Sequence, residues 1–117
     1  MEKRKHSEEK LFQSIILQAF EDVLSPSVSK TETYFKIDAY NWFTKKPKDY
    51  MTICWLAGLD PDVVSERVNF LIKNKIISFT EKQKKWNLYR ILYKAYRSVK
   101  TPGERRLIMI KINKLKN

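Results

Sequence analysis

Pairs of apolar residues recur every fourth position near the start of the chain, as on one broad face of a helix. Ser7 is suited to cap this helix, and Glu8 and Glu9 suit the positive end of its dipole. Ser25-Pro26-Ser27 ends the pattern, and a polar connector runs to about Thr33. We therefore predict a first helix whose buried face is formed by Leu11-Phe12, Ile15-Ile16, Ala19-Phe20 and Val23-Leu24.

Two further helices are predicted in the middle of the chain. A short one covers residues 34–43 and stops at a basic loop, residues 44–48. Another covers about residues 49–57, where Gly58 suits the left-handed position that closes a helix. One face of that helix carries Tyr50, Ile53, Cys54 and Ala57.

A strong start signal marks the fourth helix. Asp60 is a good N-cap, and Pro61 suits the first helical position because proline lacks the N–H group. Residues 49–73 therefore predict a helix-turn-helix-like αα-corner, within a core region 34–75. The expected inner face of the fourth helix consists of Val63, Val64, Val68, Leu71 and Ile72.

Capping boxes mark two more helices after a turn at residues 74–79, where residues 76–79 are also compatible with a brief extended segment. Thr80 and Gln83 open a long helix, and Thr101 and Glu104 open a last one. The last segment also alternates like a strand, but its cap favours a helix. The predicted buried stripes are Leu88, Ile91, Leu92, Ala95, Tyr96 and Val99 in the fifth helix and Leu107, Ile108, Ile112 and Leu115 in the sixth.

The composition agrees with this pattern. A chain of 117 residues that is 43% hydrophobic and 13% aromatic can bury one core, and only two glycines and four prolines favour helices. We predict an all-α fold: a single compact domain of five to six helices over residues 1–117, with a basic C-terminal helical region at 81–117.

The residue types also argue against several kinds of function. The only cysteine, Cys54, lies on a predicted inner face, and the only histidine, His6, lies in a charged N-terminal segment. We therefore expect no enzyme activity, no metal site and no cofactor. The chain begins without a signal peptide and has no long apolar run, so we expect a cytoplasmic protein that does not enter the membrane.

Nearly all of the net charge of +11 lies in the last third of the chain. Residues 1–80 contain 12 Lys and Arg against 11 Asp and Glu, whereas residues 81–117 contain 12 against 2. This asymmetry indicates a polyanionic partner. The alternative is that lysine merely covers the surface, as in proteins of AT-rich genomes.

The central segment resembles a pattern of short phage and prophage proteins, D-(F/Y)-x-x-(I/V)-C-x-x-A-G-(L/V)-(D/N)-P-(D/E)-x-V-x-x-R-V, preceded by Trp and Phe or Leu. This chain carries it as Trp42-Phe43 and, from residue 49, DYMTICWLAGLDPDVVSERV. The resemblance covers about a quarter of the chain. It implies a helix-turn-helix-like fold and a phage-type origin, which would place the protein in the cytoplasm of a host cell.

The fourth helix has mixed qualities as a recognition helix. Arg67 and Asn69 are suitable base readers, and we expect Ser65 to be exposed and within reach of a phosphate. However, Asp60, Asp62 and Glu66 crowd the end that would approach DNA most closely. We therefore interpret the corner mainly as a scaffold.

The fifth helix is the better candidate for binding a polyanion. Arg90, Lys94 and Arg97 recur along one stripe, and aromatic residues follow its flank. Cations beside aromatic faces suit phosphate neutralisation and contact with bases or sugars; solvated charge and core-edge aromatics are the alternative. The candidate nucleic-acid-binding residues are Lys82, Lys85, Trp86, Tyr89, Arg90, Tyr93, Lys94, Arg97, Lys100, Arg105 and Arg106, with Arg67 and Asn69 on the fourth helix.

From these patterns we predict a phage-type nucleic-acid-binding protein, either a transcriptional regulator or a DNA-handling accessory. We expect it to bind DNA in preference to RNA. The alternative is a phage-encoded module that docks on a host protein such as RNA polymerase through the same basic surface. A weaker alternative places the last helix on anionic lipid. A homodimer is compatible with a helix-turn-helix protein that reads a palindrome.

Overall fold

The computed structural model describes the backbone of residues 2–116 and the side chains of residues 7–116. This part of the chain forms six helices and no strand, which confirms the predicted all-α fold. The domain measures 60 × 32 × 22 Å. The helices are α1 (Glu2–Leu24), α2 (Lys30–Lys45), α3 (Lys48–Leu56), α4 (Pro61–Lys73), α5 (Glu81–Ser98) and α6 (Pro102–Lys116).

The first two helices are longer than the sequence predicts. Because α1 begins at Glu2, Ser7 lies inside it instead of capping it. Ser29 caps α2, since its hydroxyl accepts a hydrogen bond from the backbone N–H of Glu32 at 3.2 Å. The connector therefore ends at Ser29 rather than near Thr33, and the basic loop shortens to Lys46-Pro47.

The αα-corner of α3 and α4 has the predicted ends. Gly58 adopts a left-handed φ of 74°, and the Asp60 side chain accepts from the backbone N–H of Asp62 at 2.9 Å. From α1, the Gln13 side chain donates to the carbonyl of Ala57 at 3.0 Å. The two hydrogen bonds supply partners for a backbone N–H and a backbone carbonyl that the helix ends leave unpaired.

The core lies where α1, α2, α3 and α4 meet. Tyr50 is fully buried, and its hydroxyl donates to the carbonyl of Pro61 at 2.9 Å. Phe20 and Phe43 stack with ring centroids 4.8 Å apart. The buried cluster consists of Ile16, Val23, Ala39, Phe43, Tyr50, Cys54, Ala57, Val64, Val68 and Ile77.

One predicted core position of α4 is wrong. Val63 is 59% exposed, whereas Ser65 is buried. α4 packs on α3 and α2, so its buried face passes through Pro61, Val64 and Val68 and leaves Val63 outside.

A buried lysine ties α5 to the rest of the core. Lys36 of α2 is only 3% exposed, and its ammonium donates to the carbonyls of Ser25 and Ser78 and to the side-chain oxygen of Gln83. The three distances are 2.9, 2.6 and 3.0 Å, and within the described part of the chain no carboxylate pairs with this ammonium. Because each ammonium hydrogen has an acceptor, the charge is tolerated at this depth.

The capping box that opens α5 is confirmed. Gln83 donates its backbone N–H to the Thr80 hydroxyl at 3.1 Å, and its side-chain oxygen accepts from the backbone N–H of Thr80 at 2.9 Å. The amide nitrogen of Gln83 also donates to the carbonyls of Ser25 and Ser27. Gln83, whose side chain completes the capping box, is therefore also the buried partner of Lys36.

Helices α5 and α6 form an antiparallel pair, here called the arm. α5 packs on α2 and α6, while α6 packs on α5. With so few neighbours, α5 leaves Leu88 and Ile91 exposed, which corrects their predicted place in the buried stripe. Ile112 of α6 is fully buried, whereas Leu107, which the sequence also predicts to be buried, is 63% exposed.

Within residues 2–116, no helix combines the length and the apolar character that crossing a membrane requires.

Candidate nucleic-acid interface

The basic stripe of α5 faces an open groove that α2 completes. Its volume is about 370 Å³. Four of its lining side chains are cations, three are tyrosines, and none carries a carboxylate. The lining residues are Lys30, Tyr34, Tyr89, Arg90, Tyr93, Lys94 and Arg97, a set that we call the cationic groove.

Arg90 joins the two helices of the cationic groove. Its guanidinium forms an ion pair with Asp38 of α2 at 2.8 Å and lies 4.8 Å from the centre of the Tyr34 ring. Part of its charge is therefore neutralised by Asp38. The structure gives Arg90 a positioning role in the groove, while Lys94 and Arg97 remain exposed.

The aromatic residues along α5 form a ladder in which neighbouring rings touch. Ring centroids are 5.6 Å apart between Trp86 and Tyr89, 4.7 Å between Tyr89 and Tyr93, and 6.4 Å between Tyr93 and Tyr96. The ammonium of Lys30 lies 5.5 Å from the Tyr89 ring centre. Cations and rings thus alternate, as the sequence pattern predicts, although one of the cations comes from α2.

Trp86 also has a structural role. Its indole N–H donates to the carbonyl of Val28 at 3.0 Å, which fixes the start of α5 to the connector before α2. The ring is partly buried. A substitution of Trp86 would therefore disturb packing as well as the surface.

Two tyrosines of the groove, Tyr34 and Tyr93, have a raised pKa. Burial raises the pKa of Tyr34, an effect that the nearby Arg90 opposes. The hydrogen bond with Tyr89 raises the pKa of Tyr93. Both phenols therefore keep their protons and place no negative charge next to the cations.

A second crevice lies on the other side of the stripe, also between α2 and α5. Its volume is about 510 Å³. Lys45, Lys84 and Asn87 line it together with Arg90 and Lys94, and Asp38 is its one carboxylate. Reasoning from α5 alone misses Lys45 here, as it misses Lys30 and Tyr34 in the cationic groove, because only the packing of α2 brings these residues to α5.

The first turns of α5 meet the end of α6 at a third site. An apolar-lined pocket of about 390 Å³ contains Lys82, Lys85, Trp86 and Tyr89 with Leu115 and Lys116. Four of the predicted site residues are brought together here. The Lys116 ammonium lies 6.0 Å from the centre of the Tyr89 ring.

The tip of the arm carries the three candidate residues that follow α5 in the sequence. Arg105 donates its Nε–H to the carbonyl of Val99 at 3.1 Å, so it helps to close the end of α5. Arg105 and Arg106 line a shallow cleft of about 370 Å³ with Tyr96 and Met109. Lys100 is exposed in the loop between α5 and α6.

Arg67 and Asn69 are exposed on α4 and line none of the α5 sites. Ser65 is buried, so its predicted contact with a phosphate is wrong. The structure therefore separates the two groups of candidate residues between the αα-corner and the arm.

Cys54 is fully buried beside Tyr50, and burial raises the pKa of its thiol. A thiol in this state is a poor nucleophile. Among the described residues, no three His, Cys, Asp or Glu side chains are grouped as metal ligands would be. The side chain of His6 lies outside the described residues.

Models of protein families, curated proteins and solved structures contain no match to this chain. The likeness of residues 42–68 to phage-type proteins therefore stays a prediction.

Proposed function

We propose that the protein binds nucleic acid, with DNA favoured over RNA, through the face that α5 shares with α2, and that it acts by binding rather than by catalysis. The cationic groove carries this proposal. Four cations and three tyrosines are among its described lining residues, no carboxylate is, and Lys94 and Arg97 are free of ion pairs among the described residues. Such a groove suits a phosphate backbone that runs past stacked bases or sugars.

The role of the αα-corner follows from its packing. α4 packs on α2 beside α1, and α3 contacts α2 through the rings of Tyr50 and Trp42. α2 in turn supplies Lys30 and Tyr34 to the groove. The exposed carboxylates of Asp60, Asp62 and Glu66 would repel a phosphate backbone. We therefore assign the corner to scaffolding and the arm to binding, in a regulator or DNA-handling accessory of phage type.

The test is a charge reversal within the cationic groove. Lys30→Glu, Lys94→Glu and Arg97→Glu are combined in one variant; Arg90 is left in place because its pair with Asp38 supports the fold. Fluorescence anisotropy measures binding to random duplex DNA, single-stranded DNA and RNA over a range of salt concentrations. We expect the slope of log K against log salt for duplex DNA to become shallower by about 3, at roughly 0.9 per lost phosphate contact.

A matched control changes the net charge by the same amount elsewhere. Lys10→Glu, Lys48→Glu and Lys73→Glu are exposed positions on α1, α3 and α4. This variant should lose much less affinity than the groove variant, because it changes only the overall electrostatic field of the protein and none of the groove residues. Equal losses in both variants, or salt-independent binding by the natural chain, would contradict the proposal. Preference for one of the three ligands decides between DNA and RNA.

A further inference from the structure

A second surface has the opposite character to the cationic groove. Helices α1, α2 and α3 enclose an open furrow of about 660 Å³, here called the acidic furrow. Its floor is apolar, and Phe35 at its side is 55% exposed. Asp22, Asp38 and Asp49 are its charged lining residues. The apolar lining consists of Ile15, Ala19, Phe35, Ala39, Trp42 and Ile53.

The carboxylates of the furrow are only partly engaged. Asp22 accepts from the Gln18 amide at 3.0 Å and Asp49 accepts from the Trp42 indole at 3.3 Å, both neutral donors. Among the described residues, a cationic partner is found for Asp38 alone, and it is Arg90. The furrow therefore keeps negative charge in a molecule whose net charge is +11.

The outer face of α6 complements this furrow. Leu107 is 63% exposed and Ile110 is 48% exposed. With Lys111 and Lys114, which are also exposed, they fall at i, i+3, i+4 and i+7, and so form one stripe along the helix. α6 packs on α5 and leaves this apolar and cationic stripe open to solvent.

The lengths of the two surfaces agree. Residues 14–22 of α1 run along the furrow for about 12 Å, and residues 107–114 of α6 span about 10 Å at 1.5 Å per residue. The furrow is thus about as long as two turns of a helix. Amphipathic helices commonly bind in grooves in this way. The apolar side chains of the helix pack on the apolar floor of the groove, and its cations lie against the acidic rim.

We propose that the chain forms a dimer in which α6 of each copy lies in the acidic furrow of the other. A two-fold axis makes both contacts at once, which closes the assembly and covers both unpartnered apolar surfaces. The length of 60 Å lets the arm reach beyond its own body. The cationic groove stays open in this arrangement, because it lies between α2 and α5 and not on the outer face of α6.

Sedimentation equilibrium on nuclease-treated protein at moderate salt tests the dimer. We expect the natural chain to have twice the monomer mass, and Phe35→Glu and Leu107→Glu each to weaken association at least tenfold. Val63→Glu is the matched control, since Val63 is equally exposed but lies on α4. A monomer at all concentrations, or a dimer that neither furrow nor arm variant weakens, would overturn the proposal.

Disulfide trapping tests the contact itself. Cys54 is buried, so an introduced cysteine is the reactive one. Mixed Phe35→Cys and Leu107→Cys chains should form a cross-linked heterodimer, and mixed Val63→Cys and Leu107→Cys chains should form at least tenfold less. Equal cross-linking in both mixtures would refute the arm-in-furrow contact. Because none of these variants touches the cationic groove, nucleic-acid binding can fail or succeed independently.

Discussion

At the scale of single residues, the contact of Lys36 with three neutral oxygens is the most consequential feature. The side chain ties the connector after α1, the turn before α5 and Gln83 to α2. Burial lowers the pKa of Lys36 from its ordinary value of 10.5. The charge is therefore costly, and its hydrogen bonds offset that cost.

Lys36→Met should lower the free energy of unfolding by about 2 kcal/mol, because the Ser78 carbonyl loses its side-chain donor, while the Ser25 carbonyl and the Gln83 side-chain oxygen each lose one of two donors. Urea denaturation followed by circular dichroism measures this. Lys45→Met, an exposed site on the same helix, should change it by less than about 0.5 kcal/mol. Equal changes in the free energy of unfolding for the two variants would mean that the buried contacts of Lys36 contribute little to stability.

The pH dependence has a definite sign. Between the lowered pKa of Lys36 in the folded state and 10.5 in the unfolded chain, the unfolded chain binds more protons. The stability of the natural chain should therefore rise with pH in this window when it is compared with Lys36→Met. If the stability difference between the natural chain and Lys36→Met fell as the pH rises through this window, the assigned direction of the pKa shift would be wrong.

At the scale of helices, the end signals determine where each element stops. Gly58 closes α3 with a positive φ, and a Cβ there would also collide with the Glu9 side chain. Gly103 lies in the first turn of α6 with open space around it. The same residue type therefore has different roles at two helix ends.

Gly58→Ala should destabilise the protein by about 1–2 kcal/mol, since an L-residue is strained at this φ. Gly103→Ala should be neutral or stabilise it by about 0.5–1 kcal/mol, because alanine favours the helix. Thermal unfolding of both variants tests the pair. Destabilisation of equal size at the two sites would show that the left-handed turn is not the cause.

At the scale of the whole molecule, the packing of six helices separates a core from an arm. α1 to α4 surround one buried cluster, whereas α6 packs on α5. Segments with few packing partners open at a lower free energy than the global transition. The arm and the core should therefore differ in local stability.

Native-state hydrogen exchange should show α6 amides about tenfold less protected than those of α2 and α4, a difference of about 1.4 kcal/mol. The measurement uses protein diluted below any association. Uniform protection across the six helices would indicate one cooperative unit. Protection of α6 that rises with concentration would agree with the proposed dimer.

The local signals in the sequence are sufficient for much of the fold. Asp60-Pro61, Gly58 and the Thr80–Gln83 box set helix ends through contacts within a few residues, so the predictions made from them are confirmed. The all-α class follows from the same signals. The charge of residues 81–117 is likewise a property of the sequence alone.

Only the tertiary structure decides which helix faces are covered and which distant residues meet. Apolar spacing shows a helix face but not whether a neighbour lies against it. Seven positions that it predicts to be buried are therefore exposed, namely Leu11, Ile15, Leu24, Val63, Leu88, Ile91 and Leu107. No local pattern indicates that Lys36 is buried, because its three acceptors belong to residues 11 to 47 positions away. The cationic groove needs α2 for the same reason: Lys30 and Tyr34 reach α5 only through long-range packing, which no local pattern encodes.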